Sequence, residues 1–155
     1  MKLLLEKAIQ LAVFYHKGQV DKGGNPYILH PLAVMMKVHK LEEKIVAVLH
    51  DIIEDTPLTL NDLRNEGFPE FIVEAVDSIT KRKKESYDSY IYRVKLNPIS
   101  RVVKLADISE NLDLSRIPNP TEKDYLRIEK YKHIQQILTE DAWIYENKKW
   151  INTAA

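Results

Sequence analysis

Between residues 3 and 17 apolar side chains recur at helical spacing (Leu4, Leu5, Ala8, Leu11, Ala12 and Tyr15), and Gly18 ends the run. Residues 18–29 break the pattern with Gly23-Gly24 and Pro26 and read as a loop. His30-Pro31 opens a second helix, proline being tolerated in a first turn. Residues 42–55 predict a third, stopped by Pro57. Thr59 reads as the N-cap of a fourth, with Asp62 three residues on and Gly67 at its close. Pro69 opens a fifth that runs to about Thr80. A basic link leads to helices near 86–96 and 99–114, the second stopped before Pro118 and Pro120. The last begins after Thr121 and runs through about 138. No segment reads as a sheet. The pattern predicts an all-α fold, one compact helical bundle over 1–140 with a C-terminal segment, 141–155, docked on it.

Composition narrows this little. A chain of 155 residues, 45% apolar and 30% charged, suits one domain with a real core. No apolar run reaches a membrane span, and no membrane partner is expected. Met1-Lys2-Leu3-Leu4-Leu5 has a faint signal-peptide look, but Glu6 and Lys7 interrupt it and no small-residue cleavage site follows. The absence of cysteine excludes disulfides and a thiolate nucleophile. Any metal must then be held by His and carboxylates, and a cytoplasmic location is the simplest expectation. Zero net charge argues against a nucleic-acid partner.

Candidate chemistry lies on three helices. On a wheel of residues 42–55, Ile45, Val46, Val48, Leu49, Ile52 and Ile53 take one side, while His50, Asp51, Glu54 and Asp55 share the other. His50 and Glu54, like Asp51 and Asp55, stand one turn apart. A solvated helix face is the alternative there. Asp107 sits in an apolar stretch, Val102-Val103-Lys104-Leu105-Ala106-Asp107-Ile108, where a carboxylate needs a partner or a ligand. A surface ion pair with Lys104 is its alternative. His30, after Tyr27-Ile28-Leu29, reads alone as a packed histidine. Together, two imidazoles and two carboxylates make a nitrogen/oxygen shell for a divalent cation. His16, His39 and His133 read as surface or packing residues, His16 being the exception to watch because it faces the same loop.

Four words in this order, His16-Lys17-Gly18-Gln19, Pro26-Tyr27-Ile28-Leu29-His30-Pro31, Leu49-His50-Asp51-Ile52-Ile53-Glu54-Asp55-Thr56 and Val103-Lys104-Leu105-Ala106-Asp107, resemble the hydrolase domain of the RelA/SpoT alarmone enzymes and the small alarmone hydrolases. The resemblance implies a helical HD domain. It implies metal-dependent removal of pyrophosphate from the 3′ position of guanosine tetra- or pentaphosphate. It also implies that His30, His50, Asp51 and Asp107 ligate one metal, usually Mn²⁺, that Glu54 and Asp55 position and deprotonate the attacking water, and that Asn111 contacts the nucleotide. Phosphoryl chemistry agrees, since a shielded phosphorus needs a cation and a base for the water. Lys22, Lys81, Lys83 and Lys104 join Asn111 as candidate substrate-binding donors. For the run Lys81-Arg82-Lys83-Lys84 a solvated link neutralised by Asp77 or Glu85 stands beside that reading.

One position departs. Asp21 stands where the family commonly has an arginine that stacks on the guanine, and an acid cannot supply that stack. Two alternatives follow: an HD phosphohydrolase acting on another nucleotide, and an HD domain that binds a nucleotide without hydrolysing it. A synthetase activity is not expected from the span of this chain. Trp143, Tyr145 and Trp150 mark either docking onto the bundle or a self-association surface that makes a homo-oligomer.

Overall fold

The computed structural model describes residues 1–154, Arg116 by its backbone alone. Its helices are α1 (Lys2–Tyr15), α2 (Leu29–Met36), α3 (Leu41–Leu49), α4 (Ile52–Asp55), α5 (Leu60–Asn65), α6 (Glu70–Ile79), α7 (Tyr87–Leu96), α8 (Pro98–Asn111) and α9 (Glu122–Thr139). A 3₁₀ turn, Leu114–Arg116, follows α8. The cap expected at Thr59 is in place. Thr59 Oγ1 accepts from Asp62 N at 3.1 Å, and Asp62 Oδ2 accepts from Thr59 N at 2.9 Å. Asn97 Oδ1 accepts from Ile99 N and Ser100 N at 3.1 and 3.0 Å, so α8 starts with Pro98 in its first turn.

At the centre lies α3. Ile45 through Leu49 are all fully buried, so its second half is apolar on every side, after Glu42, Glu43 and Lys44 in the first part. It packs against α1, α2, α6 and α8. Fully buried Ala8 and Ala12 give α1 a small-residue face toward this core. A second cluster joins Tyr90, Ile91 and Val94 of α7 with Ile108 of α8 and Ile134, Ile137 and Leu138 of α9. Helix α8 serves both clusters: Val103 and Ala106 belong to the first and Ile108 to the second. Asp107 lies in the seam between them.

Two expectations need correction. The helix predicted over 42–55 is broken at His50-Asp51. There His50 N bonds to Ala47 O, three residues back, at 3.4 Å, and the ring Nδ1 bonds to that same carbonyl at 2.6 Å. A side chain that takes a helical carbonyl diverts the ladder, and α4 restarts from Asp51. The second correction is a sheet. Trp143–Glu146 (β1) and Lys149–Asn152 (β2) form an antiparallel hairpin with Trp143 opposite Asn152 and Tyr145 opposite Trp150. Asn147 and Lys148 turn it at φ 51° and 63°, the paired left-handed residues of a tight hairpin. Alternation of aromatic and β-branched residues drives it: Trp143 and Trp150 join the second cluster while Ile144 and Ile151 face outward.

Candidate metal centre and active site

Three helices deliver the cluster. His30 comes from the first turn of α2, held there by Pro31 and by its own N–H to Tyr27 O at 2.9 Å. His50 and Asp51 come from the break between α3 and α4, and Asp107 from the seam of α8. His30, His50 and Asp107 are all buried. His30 Nε2 lies 2.8 Å from Asp107 Oδ1 and 3.8 Å from Asp51 Oδ2. His50 Nε2 lies 3.0 Å from Asp51 Oδ2 and 3.4 Å from Asp107 Oδ1. One ligand atom each from His30, His50 and Asp107 falls within 4.8 Å of the others.

The geometry of His50 tests whether a cation fits. Ala47 O can only accept, so Nδ1 of His50 carries the proton toward it. In the neutral ring Nε2 is then a lone pair, buried with no hydrogen-bond partner and aimed at two carboxylates. Lone pairs converge there with nothing positive between them unless a proton or a metal enters. The proton's response shows the strength of the field. Burial lowers the affinity of His50 for a proton, but Asp51 and Asp107 override it and hold its pKa well above the ordinary range. Burial would raise Asp51 as well, yet the charge of His50 beside it pulls it down to about 2. The convergent atoms of His30, His50 and Asp107, with Asp51 beside them, suit a divalent cation.

Neighbours hold these side chains in place. Lys104 Nζ donates to Asp107 Oδ2 at 3.1 Å and Asn111 Nδ2 to Asp107 Oδ1 at 3.1 Å. The Lys104–Asp107 pair is therefore not a surface pair, its side chains being 12% and 7% exposed. Burial lowers the Lys104 pKa, and Asp107 more than restores it. Tyr27 OH donates to Asp51 Oδ2. Burial first, then the Asp51 charge, holds this phenol protonated far above its ordinary range, so it remains a donor.

A pocket of about 460 Å³ opens over the cluster. His30, Asp51, Asp107, Glu54 and Asp55 line its floor, and Lys22, Lys104 and Asn111 its walls. Burial, Asp51 and Glu54 together raise the Asp55 carboxyl above its usual value. Lys81 and Lys83 are not among the lining residues. In that link Arg82 reaches Asp77 at 3.3 Å and Lys81 Nζ donates to Arg82 O at 3.2 Å. Tyr90 is a core residue whose OH donates to Ile79 O at 2.7 Å. Asp21 lines the rim, but its Oδ1 accepts from Gly23 N and Asn25 N, both at 2.9 Å, so this acid shapes the loop.

Sequence reasoning missed the far wall. Arg127 and Tyr131 of α9 line it one helical turn apart. Buried Asp124 holds Arg127 at 3.3 Å and reaches across to Lys22 at 3.5 Å. The i,i+4 spacing of Arg127 and Tyr131 was the available signal, but nothing in it says which helix α9 faces.

No family model matches the chain. Relatives do. The chain is 34% identical over 125 residues to a GTP pyrophosphokinase of Streptomyces coelicolor, a match covering 72% of this chain and 15% of the relative. It is 33% identical over 120 residues to the guanosine-3′,5′-bis(diphosphate) 3′-pyrophosphohydrolase of Aquifex aeolicus, covering 70% of this chain and 17% of that one. The Haemophilus influenzae protein of the same name is 34% identical over 112 residues, covering 63% and 16%. The chain thus spans 15–17% of the length of these curated relatives. Among solved structures, a metazoan ortholog of SpoT superposes with a TM-score of 0.71 at 22% identity, covering 87% of this chain and 83% of that one, a likeness of fold. On sequence likeness and shared helical architecture, the chain belongs to the HD domains of the RelA/SpoT hydrolase type.

Proposed function

We propose that this chain is a metal-dependent 3′-pyrophosphohydrolase of guanosine tetra- or pentaphosphate, the alarmones of the stringent response. The observation that carries the reading is the convergence of His30, His50, Asp51 and Asp107 beneath a pocket that also holds Glu54 and Asp55. The likeness to the Aquifex aeolicus and Haemophilus influenzae proteins, both named as guanosine-3′,5′-bis(diphosphate) 3′-pyrophosphohydrolases, supports it.

His30, His50, Asp51 and Asp107 would hold a divalent cation, Mn²⁺ in this proposal, which would supply positive charge against the phosphoryl oxygens and acidify water. The protein does the rest. Glu54 and Asp55 orient the water and accept its proton as it attacks the phosphorus on the 3′ oxygen. The bond from that phosphorus to the ribose 3′ oxygen breaks, the oxygen takes up a proton, and pyrophosphate leaves. Lys22, Arg127 and Asn111 line the walls where phosphate oxygens would lie, and Lys104 offsets the charge of Asp107. Tyr27 keeps Asp51 oriented through its phenol. The partner is a phosphorylated nucleotide in the cytoplasm. Residues 1–140 form the catalytic unit, and the hairpin that follows docks on it through Trp143 and Trp150, which pack on the second cluster.

Asp21 supports a second reading, hydrolysis of a different nucleotide, because the rim offers an acid where a cation would stack on guanine. A substrate panel decides between them: guanosine and adenosine 3′,5′-bis(diphosphates), GTP and deoxynucleoside monophosphates, each with Mn²⁺-loaded protein. Pyrophosphate from the guanosine compound and little from the rest is expected. Activity centred on another nucleotide would replace the first reading with the second.

A further inference from the structure

The mechanism leaves one buried histidine unused. His16 caps α1 and is 2% exposed. Its Nδ1 lies 2.8 Å from Gln19 Oε1, and Gln19 Nε2 donates to the backbone carbonyl of Asp55 at 3.1 Å. A carbonyl only accepts, so the Gln19 amide must turn its nitrogen toward Asp55 and its oxygen toward His16. His16 Nδ1 is then the donor, and in the neutral ring Nε2 is a bare lone pair. That Nε2 is buried without a hydrogen-bond partner, and the ring lies 5.1 Å from the Tyr27 ring. The Gln19 carbonyl accepts from Tyr27 N at 2.9 Å. One residue therefore ties the end of α1, the loop carrying Tyr27 and the last residue of α4.

The tie matters because α4 has only four residues. A helix this short leaves its carbonyls without partners of its own. Ile52 O is taken by Thr56 Oγ1 at 2.6 Å, and Asp55 O by Gln19. The placement of Glu54 and Asp55 thus depends on contacts made from outside α4.

We propose that His16 and Gln19 are positioning residues: the His16–Gln19–Asp55 link sets where α4 holds its two acids over the metal cluster. This rests on the reading of Glu54 and Asp55 as the acids that handle the water. Asparagine places an amide nitrogen where histidine has Nδ1, and glutamine places one nearer Nε2. His16→Asn should keep the link, whereas His16→Gln and Gln19→Leu should break it. The expected result is a fall in kcat on the order of 10- to 100-fold for the latter two, with KM and Mn²⁺ affinity within about twofold of wild type and His16→Asn close to wild type. Melting temperatures report whether each variant folds, and Gln19→Leu, at a partly exposed position, keeps the test alive should His16 variants fail. Independently of turnover, ring ¹⁵N NMR should find the proton of neutral His16 on Nδ1. Wild-type kcat in folded Gln19→Leu overturns the proposal. So does rescue by His16→Gln in place of His16→Asn, or a neutral ring protonated at Nε2. A wild-type protein idle on every nucleotide would defeat the reading of the acids, while the nitrogen spectrum would still decide the link.

Discussion

Glu54 and Asp55 stand beside each other on α4, yet their roles separate at the level of the side chain. Burial and two carboxylate neighbours raise Asp55, so it keeps its proton to a higher pH than an ordinary aspartate. Both line the pocket next to Asp51, and neither belongs to the cluster of convergent ligand atoms. A base needs to be near the water without being consumed as a ligand. Glu54→Gln should therefore keep the metal and lose turnover by roughly 10²- to 10⁴-fold. Metal content by mass spectrometry and single-turnover kinetics check both halves, and wild-type rates would remove Glu54 from the mechanism. At this scale the sequence was readable for the side chains that converge, because His30, the His50-Asp51 pair and Asp107 each sit in a recognisable word. It offered the Lys104–Asp107 pair only as a surface contact and did not offer the bond from Asn111, because rotamer and burial decide both.

Among the elements, α6 and α7 are joined by the basic link, and Arg93 closes it. Its guanidinium takes both oxygens of Glu85, at 2.6 and 2.7 Å, and the carbonyls of Asp77 and Thr80 at 3.0 and 2.8 Å. Arg93→Ala strands all of these acceptors and should destabilise the fold by about 2–3 kcal/mol in denaturant titrations. The pH dependence has a definite sign. The Arg93 hydrogen bond holds Glu85 below its ordinary 4.5, so its stabilisation is complete above that value and is lost as pH falls through the lowered one. The gap between wild type and Arg93→Ala should shrink in that acid range and stay constant near neutrality. A gap independent of pH would remove Glu85 from the account. Most helices and caps were legible because periodicity and cap chemistry are local. The break at His50-Asp51 was not, because it depends on one imidazole taking a backbone carbonyl. The hairpin was overlooked although Trp-Ile-Tyr-Glu and Lys-Trp-Ile-Asn alternate around Asn147-Lys148.

The whole molecule is two apolar clusters sharing α8, with the charged cluster at their seam and α9 closing the pocket from the second side. That closure explains why Arg127 and Tyr131 escaped the sequence: their neighbours are far along the chain. The hairpin braces the second cluster. Trp150 packs there, its Nε1 donates to Asp88 O at 3.3 Å, and Lys95 Nζ lies 5.4 Å from its ring centre. Trp150→Ala should cost about 2–3 kcal/mol, lowering Tm by roughly 5–10 °C while leaving activity at 25 °C intact. Lost activity with an unchanged Tm would instead give the hairpin a place in the site. The centre itself is tested most directly by measuring bound metal and pyrophosphate release together in wild type and His50→Ala. The account predicts one divalent ion per chain and hydrolysis of the guanosine 3′,5′-bis(diphosphate) in wild type, and the loss of both in the variant. Full metal content in His50→Ala, or wild-type hydrolysis untouched by a chelator, would contradict it.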